Sequence, residues 1–171
     1  DVYGESIFTN RWETIGRYQI PVNEIVKLQF SANAHYQNSV YGTTIYNATQ
    51  YIGFAQMTWN KNFRSSDLLL GIAYRYTLYD DNTTATNGIN QPNEIHLPGI
   101  FIQSEIKINE QNKLLLGLRH DYNSIHGNIL TPRLNYKWNS LDKKNIFRIS
   151  AGNGFRVANI FTEDHAALTG A

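Results

Sequence analysis

Charged side chains that could support acid–base or binding chemistry lie among the polar positions of an apolar–polar alternation along this sequence. Glu105 and Asp121 could form a carboxylate pair for hydrolysis if they lay on adjacent strands. Lys107, Arg119 and Arg133 follow the same alternation, so we expect a network of ion pairs instead. The charged residues that share this alternation are Arg17, Lys27, Arg75, Glu105, Lys107, Arg119, Asp121, Arg133, Lys137 and Arg148.

Other signatures of catalysis or of cofactor binding are weak. Gly152 and Gly154 stand in the segment GNGFR, but the third glycine and the following helix of a dinucleotide site are missing. The sequence contains no Gly-x-Ser-x-Gly elbow, and no Ser, His and Asp are placed as a catalytic triad would be. We therefore expect that the chain is not an enzyme and needs no cofactor.

Two sets of residues could bind a metal ion, but neither has the spacing of a known site. Asp80, Asp81 and Asn82 offer hard oxygen ligands for calcium, yet the twelve-residue calcium-loop pattern is absent. The expected structure there is a solvated turn. The histidines, which are His35, His96, His120, His126 and His165, share no ligand spacing such as His-x-x-x-His. We therefore predict no metal site.

Composition excludes several further classes of protein. The chain has 171 residues, a net charge of +1 and no block of basic residues, so nucleic acid is not an expected partner. It has no cysteine, which excludes a disulfide framework and thiolate metal sites. It has no run of 18 apolar residues, so spanning helices are excluded. Because the sequence begins at Asp1 without a leader, we expect any signal peptide to lie outside this stretch.

The alternation of apolar and polar residues predicts long β-strands. In the segment VKLQFSANAHYQ, residues 26–37, it continues unbroken, and successive side chains of a strand point to opposite faces. No helical period of comparable strength occurs. The pattern therefore predicts an all-β fold, an antiparallel up-and-down meander of about eight long strands. Their predicted ranges are 11–20, 26–37, 49–60, 67–79, 99–108, 113–123, 129–138 and 145–152.

Aromatic residues of the apolar alternation lie toward the strand ends, while Leu, Ile and Ala fill the middles. Toward one end lie Trp12, Tyr36, Tyr51, Tyr76 and Tyr122, and toward the other Tyr18, Trp59, Tyr136, Trp138 and Phe147. Two aromatic belts around an aliphatic band favour a transmembrane barrel. A strand of about 11 residues tilted by about 40° would span roughly 27 Å of membrane.

A soluble lipocalin-like barrel that binds a small apolar ligand is the alternative, because alternation alone does not tell inside from outside. The two folds predict opposite exposure. The membrane barrel places Arg119 and Arg133 inside and these apolar residues on its outer surface: Leu68, Leu70, Ile72, Leu116 and Leu118. The soluble barrel predicts the reverse.

Connections of unequal length support the membrane alternative. The segments PVNE, KNFRSS, NEQN and NSLDKK are short, NSIHGN is intermediate, and NSVYGTTIYNA and DDNTTATNGINQPNEIHL are long. Short and long connections alternate along the chain, as in outer-membrane barrels with short periplasmic turns and longer external loops. Both termini would then lie on the external side, so we expect an internal piece of a larger barrel that does not close on itself.

From residue 100 onward the sequence resembles the barrel of TonB-dependent outer-membrane receptors. A Gln-x-Glu strand is followed by a short turn, a Leu-x-x-Gly-x-Arg-x-Asp strand, and Pro-Arg at the opening of the next strand. These motifs comprise Gln103, Glu105, Leu114, Gly117, Arg119, Asp121, Pro132 and Arg133. The segment FRISAGNGFRVANIFTE resembles the family's Gly-x-Gly-Phe-Arg segment, and residues 1–99 look like receptors of Bacteroidetes-type bacteria.

This resemblance implies a 22-stranded barrel in the bacterial outer membrane, plugged by an N-terminal domain. Residues 1–171 would be barrel, and the plug domain would lie outside this stretch. Such receptors bind scarce large solutes, such as iron–siderophores, cobalamin or glycans, and import them with energy relayed by TonB. The implied partners are therefore TonB, the plug domain, outer-membrane lipid and the solute.

The same resemblance implies roles for particular residues. The ten charged residues named above would line the lumen and meet the plug. Ligand recognition would lie in the external loops, where aromatic, amide and charged side chains can stack and hydrogen bond. The candidates are Tyr41, Tyr46, Asn47, Asn90, His126 and Arg156.

Overall fold

The computed structural model describes residues 4–83 and 92–155, which form eight β-strands. Alternating side chains and scarce proline allow strands of up to 19 residues. The strands are β1 (Glu5–Ile20), β2 (Ile25–Tyr41), β3 (Thr44–Asn62), β4 (Ser66–Asp81), β5 (Asn93–Lys107), β6 (Asn112–Asn123), β7 (Gly127–Asn139) and β8 (Ile146–Gly152). The predicted eight-stranded all-β fold is confirmed. In the described residues, no helix is long and apolar enough to cross a membrane.

All eight strands belong to one sheet in which each strand pairs antiparallel with its neighbour in the chain. The order is therefore β1 to β8 without a crossover, which is the predicted meander. β1 and β8 are the two edges of the sheet, and no strand pairing joins them in the described residues.

The pairing register collects the apolar residues on one side of the sheet. Leu28 lies opposite Met57, and Ile102 lies opposite both Leu70 and Leu118. We call this side the apolar face. It comprises the even-numbered residues of β1, β2 and β4–β7 and the odd-numbered residues of β3 and β8. The remaining strand residues form the polar face.

The apolar face carries exposed side chains in the middle of the sheet. Ile72, Leu116 and Leu118 are 53%, 42% and 45% exposed, while Leu68 and Leu70 are half-buried. The buried apolar side chains of the described residues lie on the polar face: Tyr46, Ala48, Ala73 and Tyr79. The exposed Ile72, Leu116 and Leu118 agree with the membrane barrel, and the Arg119 side chain is 35% exposed, but Arg133 is exposed in this open sheet rather than inside.

The connections differ from the prediction at one end of the sheet, which we call the Gly42 end. The predicted long loop over residues 38–48 is wrong, because β2 and β3 run through it and are joined by Gly42 and Thr43 alone. Gly42 has a φ of 60° and Thr43 has no positive φ, the pattern of a two-residue hairpin turn with glycine first. Residues 82–92 connect β4 to β5, and residues 124–126 connect β6 to β7.

At the opposite end, which we call the Glu24 end, all four connections are short, as predicted. They comprise residues 21–24, 63–65, 108–111 and 140–145. Because two of the three connections at the Gly42 end are also short, the predicted difference in loop length between the ends is wrong for those two. The sheet extends there by strand pairing instead, with β2 paired to β3 as far as Tyr41 and Thr44.

Candidate functional site

The most buried polar groups of the sheet lie on the polar face at the Gly42 end. Register places Ala48 between Gln37 and Asp81, and Ser39 opposite Tyr46. Strands β2, β3 and β4 therefore bring distant residues together. We call the group Gln37, Ser39, Tyr46, Tyr79 and Asp81 the tyrosine cluster. Each of its members is at most 7% exposed.

Within the tyrosine cluster, hydrogen bonds form a chain in which Tyr46 donates to Tyr79 and Tyr79 donates to Asp81. The Tyr79 hydroxyl donates to Oδ2 of Asp81 over 2.7 Å and lies 2.9 Å from the Tyr46 hydroxyl. Because Tyr79 has one hydroxyl proton, Tyr46 donates to it. Oδ1 of Asp81 accepts from the backbone N and the hydroxyl of Thr83, each over 2.9 Å. The hydrogen bonds therefore hold the side chains of the tyrosine cluster rigidly in place.

A second buried centre lies on β6. The guanidinium of Arg119 donates to Asp121 twice, from Nε to Oδ2 over 2.7 Å and from Nη2 to Oδ1 over 2.6 Å. Asp121 is fully buried, while the Arg119 side chain is 35% exposed. The same guanidinium lies 5.5 Å from the centre of the Phe101 ring. Two-point pairing and stacking hold the arginine in one orientation.

Glu105 and Asp121 do not form a carboxylate pair. Glu105 accepts from Nζ of Lys113 over 2.6 Å. Asp121 lies opposite Gly99, six residues along β5 from Glu105 and roughly 20 Å away at the rise of a strand. The two carboxylates occupy separate ion pairs, which is the arrangement that the sequence favoured over acid–base chemistry.

The ten charged residues predicted to share a face do so, since the register places all of them on the polar face. Their surroundings differ. The Arg75 guanidinium lies 6.0 Å from the centre of the Phe54 ring, and Lys107 pairs with Glu110 over 2.6 Å. Arg119 and Arg133 line a cavity of about 740 Å³ between β5 and β8.

The structure describes four of the six predicted ligand-binding residues, and three of these four lie in strands rather than in loops. Tyr41 ends β2 and packs against the tyrosine cluster, of which Tyr46 is a member within β3. Asn47 is also in β3, on the apolar face, where its backbone N donates to Asn82 over 2.9 Å. The loop assignment of these three residues is wrong because the Gly42 turn continues the strands. His126 is exposed in the 124–126 connection. Asn90 and Arg156 lie outside the described residues.

The predicted oxygen ligands of DDNTT do not converge on one point. Asp80 and Asp81 end β4 and point to opposite faces, and Asp81 already accepts hydrogen bonds from Tyr79 and Thr83. The Asn82 amide accepts from the backbone N of Asn47 and donates to the carbonyl of Ile45 over 2.9 Å. This amide therefore continues the β3–β4 pairing as a peptide group would.

Sequence reasoning missed most of the tyrosine cluster. Gln37 is the last residue of the predicted second strand and Ser39 lies two residues beyond it. Tyr79 is the last residue of the predicted fourth strand. The signal was available in the alternation, since Gln37 and Ser39 continue the polar parity of β2 and Tyr79 and Asp81 continue that of β4. Asn123 was missed as well. It is 1% exposed, and its side-chain oxygen accepts from the backbone N atoms of Ile125 and His126.

Comparison with known proteins decides the family. The sequence profile of the TonB dependent receptor-like β-barrel matches residues 4–164, nearly the whole chain. The chain belongs to the TonB-dependent receptor β-barrel family. Its two-faced antiparallel meander is what such a barrel wall requires. No curated protein sequence matches it.

A solved structure of a siderophore receptor shows the same fold. The chain is similar to the siderophore receptor PirA from Pseudomonas aeruginosa, with a TM-score of 0.68 and 13% sequence identity. The match covers 92% of this chain and 30% of that chain. The described strands therefore correspond to about a third of such a receptor.

Proposed function

We propose that this chain forms part of the barrel wall of an outer-membrane receptor that binds a scarce large solute outside the cell and imports it. The solute classes of this function are iron–siderophores, cobalamin and glycans. A plug domain fills the barrel, and TonB relays the energy. The observation that carries the proposal is the pair of faces: an exposed apolar face on one side and the charged polar face with its buried clusters on the other.

In this proposal, each face of the sheet contacts a different environment, lipid on one side and the barrel lumen on the other. The apolar face contacts outer-membrane lipid, including Val26, Leu28, Phe30 and Ala32 of β2, with Tyr36 at the external headgroup level. The Glu24 end lies at the periplasmic side, where all four connections are short. The polar face lines the lumen.

Solute recognition belongs to the Gly42 end of the polar face in this proposal. Tyr41, which is partly buried against the tyrosine cluster, and the exposed His126 both lie at this end and can stack or hydrogen bond. Asn47 contributes to solute binding from the apolar face near the Gly42 turn. Asn90 and Arg156 complete the predicted set of binding residues. The rigid tyrosine cluster fixes the orientation of the Tyr41 side chain that packs against it.

The decisive experiment is a growth-rescue panel. A strain that lacks the full-length receptor is supplied, in turn, with siderophores, cobalamin and glycans as the limiting nutrient, with and without the receptor gene restored. We expect one class to restore growth only with the receptor and only when TonB is present. Rescue that is equal without TonB, or rescue by none of the classes, would contradict the proposal.

A variant pair then tests the recognition site. Tyr41→Ala removes a partly buried ring at the Gly42 end, so we expect the receptor to need more solute for half-maximal growth. Tyr18→Ala removes a ring of the apolar face at the other end and should leave that concentration unchanged. Equal effects of the two variants would contradict recognition at the Gly42 end.

A further inference from the structure

Each of the four connections at the Glu24 end exposes one large apolar side chain. The four residues are Val22, Phe63, Ile108 and Leu141, which are 55%, 54%, 57% and 85% exposed. Turns ordinarily favour glycine, proline or short polar residues, and a single exposed apolar side chain needs no explanation. A repeat in all four connections at one end of a sheet does need one. We call these four residues the apolar rim.

Two members of the apolar rim extend the apolar face beyond the strands. The backbone N of Phe63 donates to the carbonyl of Ser66 over 2.8 Å, so the β3–β4 pairing continues for one more residue. The backbone N of Ile108 donates to the carbonyl of Asn112 over 3.0 Å and extends the β5–β6 pairing in the same way. Because side chains alternate along a paired strand, Phe63 and Ile108 both lie on the apolar face. The apolar rim is therefore continuous with that face.

The polar groups beside Phe63 on this face are paired with one another. Lys61 is the only lysine or arginine on the apolar face of the described strands. Its Nζ forms an ion pair with Glu24, and Nε1 of Trp59 donates to the same carboxylate over 3.0 Å. An indole and a lysine next to exposed apolar side chains are typical of the boundary between acyl chains and lipid headgroups.

The length of β3 places Phe63 in the headgroup layer. Tyr51 belongs to the aromatic belt toward the Gly42 end, and Phe63 follows it by twelve residues. At a rise of about 3.3 Å per residue and a tilt of about 40°, this separation is roughly 30 Å along the membrane normal. The apolar band of an outer-membrane barrel is about 25 Å tall, so Phe63 lies roughly 5 Å past it. Headgroups extend about 5–7 Å beyond the hydrocarbon and therefore surround this ring.

We propose that the apolar rim inserts into the headgroup layer of the periplasmic phospholipid leaflet and anchors the Glu24 end of the barrel wall there. This inference rests on the proposed receptor function, because that function supplies the membrane. The exposed Arg64 lies in the same connection as Phe63, at the level of the lipid phosphates. Residues of this kind at the interface fix the depth and tilt of a spanning element.

Spin labelling of the full-length receptor tests the insertion. After any native cysteine is removed, F63C, I108C and L141C are made one at a time, and each carries a nitroxide. The receptor is placed in nanodiscs of phosphatidylethanolamine and phosphatidylglycerol, which leave both membrane surfaces open to water. Oxygen concentrates in lipid and a nickel chelate stays in water, so the collisions of each reagent with the nitroxide report the surroundings of the label.

Matched controls lie in the same connections and on the same face. S65C and E110C carry the label at exposed polar positions near Phe63 and Ile108 and should stay in water. L118C carries it in the middle of the apolar face and should contact lipid. We expect the labels of the apolar rim to collide with the nickel chelate severalfold less often than the labels of S65C and E110C, and with oxygen more often.

The other outcomes also decide the matter. Rim labels that meet the nickel chelate as often as S65C and E110C do would overturn the insertion. Rim labels shielded from both reagents would overturn it too, because that pattern indicates a covering protein segment. L118C separates the two proposals. If its label is in lipid while the rim is in water, only the insertion is disproved, whereas an L118C label in water contradicts the receptor function itself.

Discussion

At the scale of single residues, the ion pair of Arg119 and Asp121 depends on a glycine. A Cβ built on Gly99 would lie 2.1 Å from Oδ1 of Asp121 and 3.0 Å from Nη2 of Arg119. Gly99 lies directly opposite Asp121, so its missing side chain is the space that the carboxylate occupies. A fully buried carboxylate fits near the end of β6 because the residue opposite it on β5 is glycine.

We predict that G99A destabilises the full-length receptor by about 1–3 kcal/mol, because the added methyl displaces a buried charged group. Urea unfolding in detergent measures the change. The control is G53A, since a Cβ on Gly53 meets nothing within 4 Å and alanine loses less entropy than glycine on folding. Equal unfolding midpoints for the two variants would show that the space at Gly99 is not needed.

Glu24 is a second residue whose surroundings have a measurable effect. In the turn between β1 and β2, hydrogen bonds from Lys61 and from Nε1 of Trp59 lower the pKa of this carboxyl below its ordinary value. A lowered pKa means that the folded state favours the ionised form. The resulting stability is fully present above the ordinary pKa of about 4.5 and is lost as the pH falls through the lowered value.

We predict that E24Q lowers the stability of the receptor at pH 7 and that its difference from the parent shrinks as the pH falls below about 4.5. Trp59 donates to this carboxylate over 3.0 Å, so its fluorescence during urea unfolding is a suitable readout. A difference that stays constant from pH 7 to pH 3 would contradict the assignment.

At the scale of strand pairs, two phenylalanines cover glycines on the neighbouring strand. The Phe101 ring lies over Gly71 on the polar face, with atoms 2.1–2.7 Å from the position of a Cβ there. Phe30 covers Gly16 in the same way on the apolar face. This cross-strand packing shields the backbone of a glycine and fixes the pairing register.

We predict that the pair Phe101 and Gly71 is coupled. G71A forces the ring aside and F101A leaves the glycine uncovered, so each costs about 1–3 kcal/mol. In the double variant the alanine methyl fills part of the space that the ring leaves, so the total should fall short of the sum by at least about 0.5 kcal/mol. A double-mutant cycle from unfolding midpoints measures this, and strict additivity would exclude the coupling.

Most strands could be predicted because alternation is a direct consequence of strand geometry. In β2 and β4 the residues predicted to share a face do share it. The pairing register is set because it keeps the apolar residues of neighbouring strands on the same face. The Gly42 turn could not be read in the same way. The segment around it contains Ser39, Thr43 and Thr44, which are small and polar as in loops, although Ser39 and Thr44 pair across the turn.

The candidate site was predicted in part for the same reason. Arg119 and Asp121 were placed on one face because they are two residues apart on one strand, and they form the ion pair there. The tyrosine cluster joins Tyr46 to Tyr79, 33 residues apart, and alternation carries no information on which strands extend far enough to meet. Gln37 and Tyr79 were placed at the ends of predicted strands, while Ser39, Tyr46 and Asp81 were assigned to loops.

At the scale of the whole molecule, the two faces of the sheet should differ in whether they tolerate a charged substitution. Leu118 lies mid-strand on the apolar face and is 45% exposed, while Gln56 lies mid-strand on the polar face. The Gln56 amide donates to Gln29 over 3.2 Å, a bond that a lysine could also make. If lipid covers the first face and water the second, only the first excludes a charge.

We predict that L118K destabilises the receptor in lipid vesicles by about 2–4 kcal/mol, the cost of a cation on the lipid face near the midplane. Q56K, which adds the same charge to the polar face, should change the unfolding free energy by under about 1 kcal/mol. Equal costs in vesicles would contradict the assignment of lipid to the apolar face.

The meander order of the sheet has a consequence for how the sheet assembles. Each strand pairs only with its chain neighbours, so every ladder closes a local connection and the chain has a low contact order. The β2–β3 hairpin has two residues in its turn and therefore the smallest loop-closure entropy of the described connections. We therefore expect this hairpin to form first, and the strand order allows flanking strands to add one at a time on either side of it.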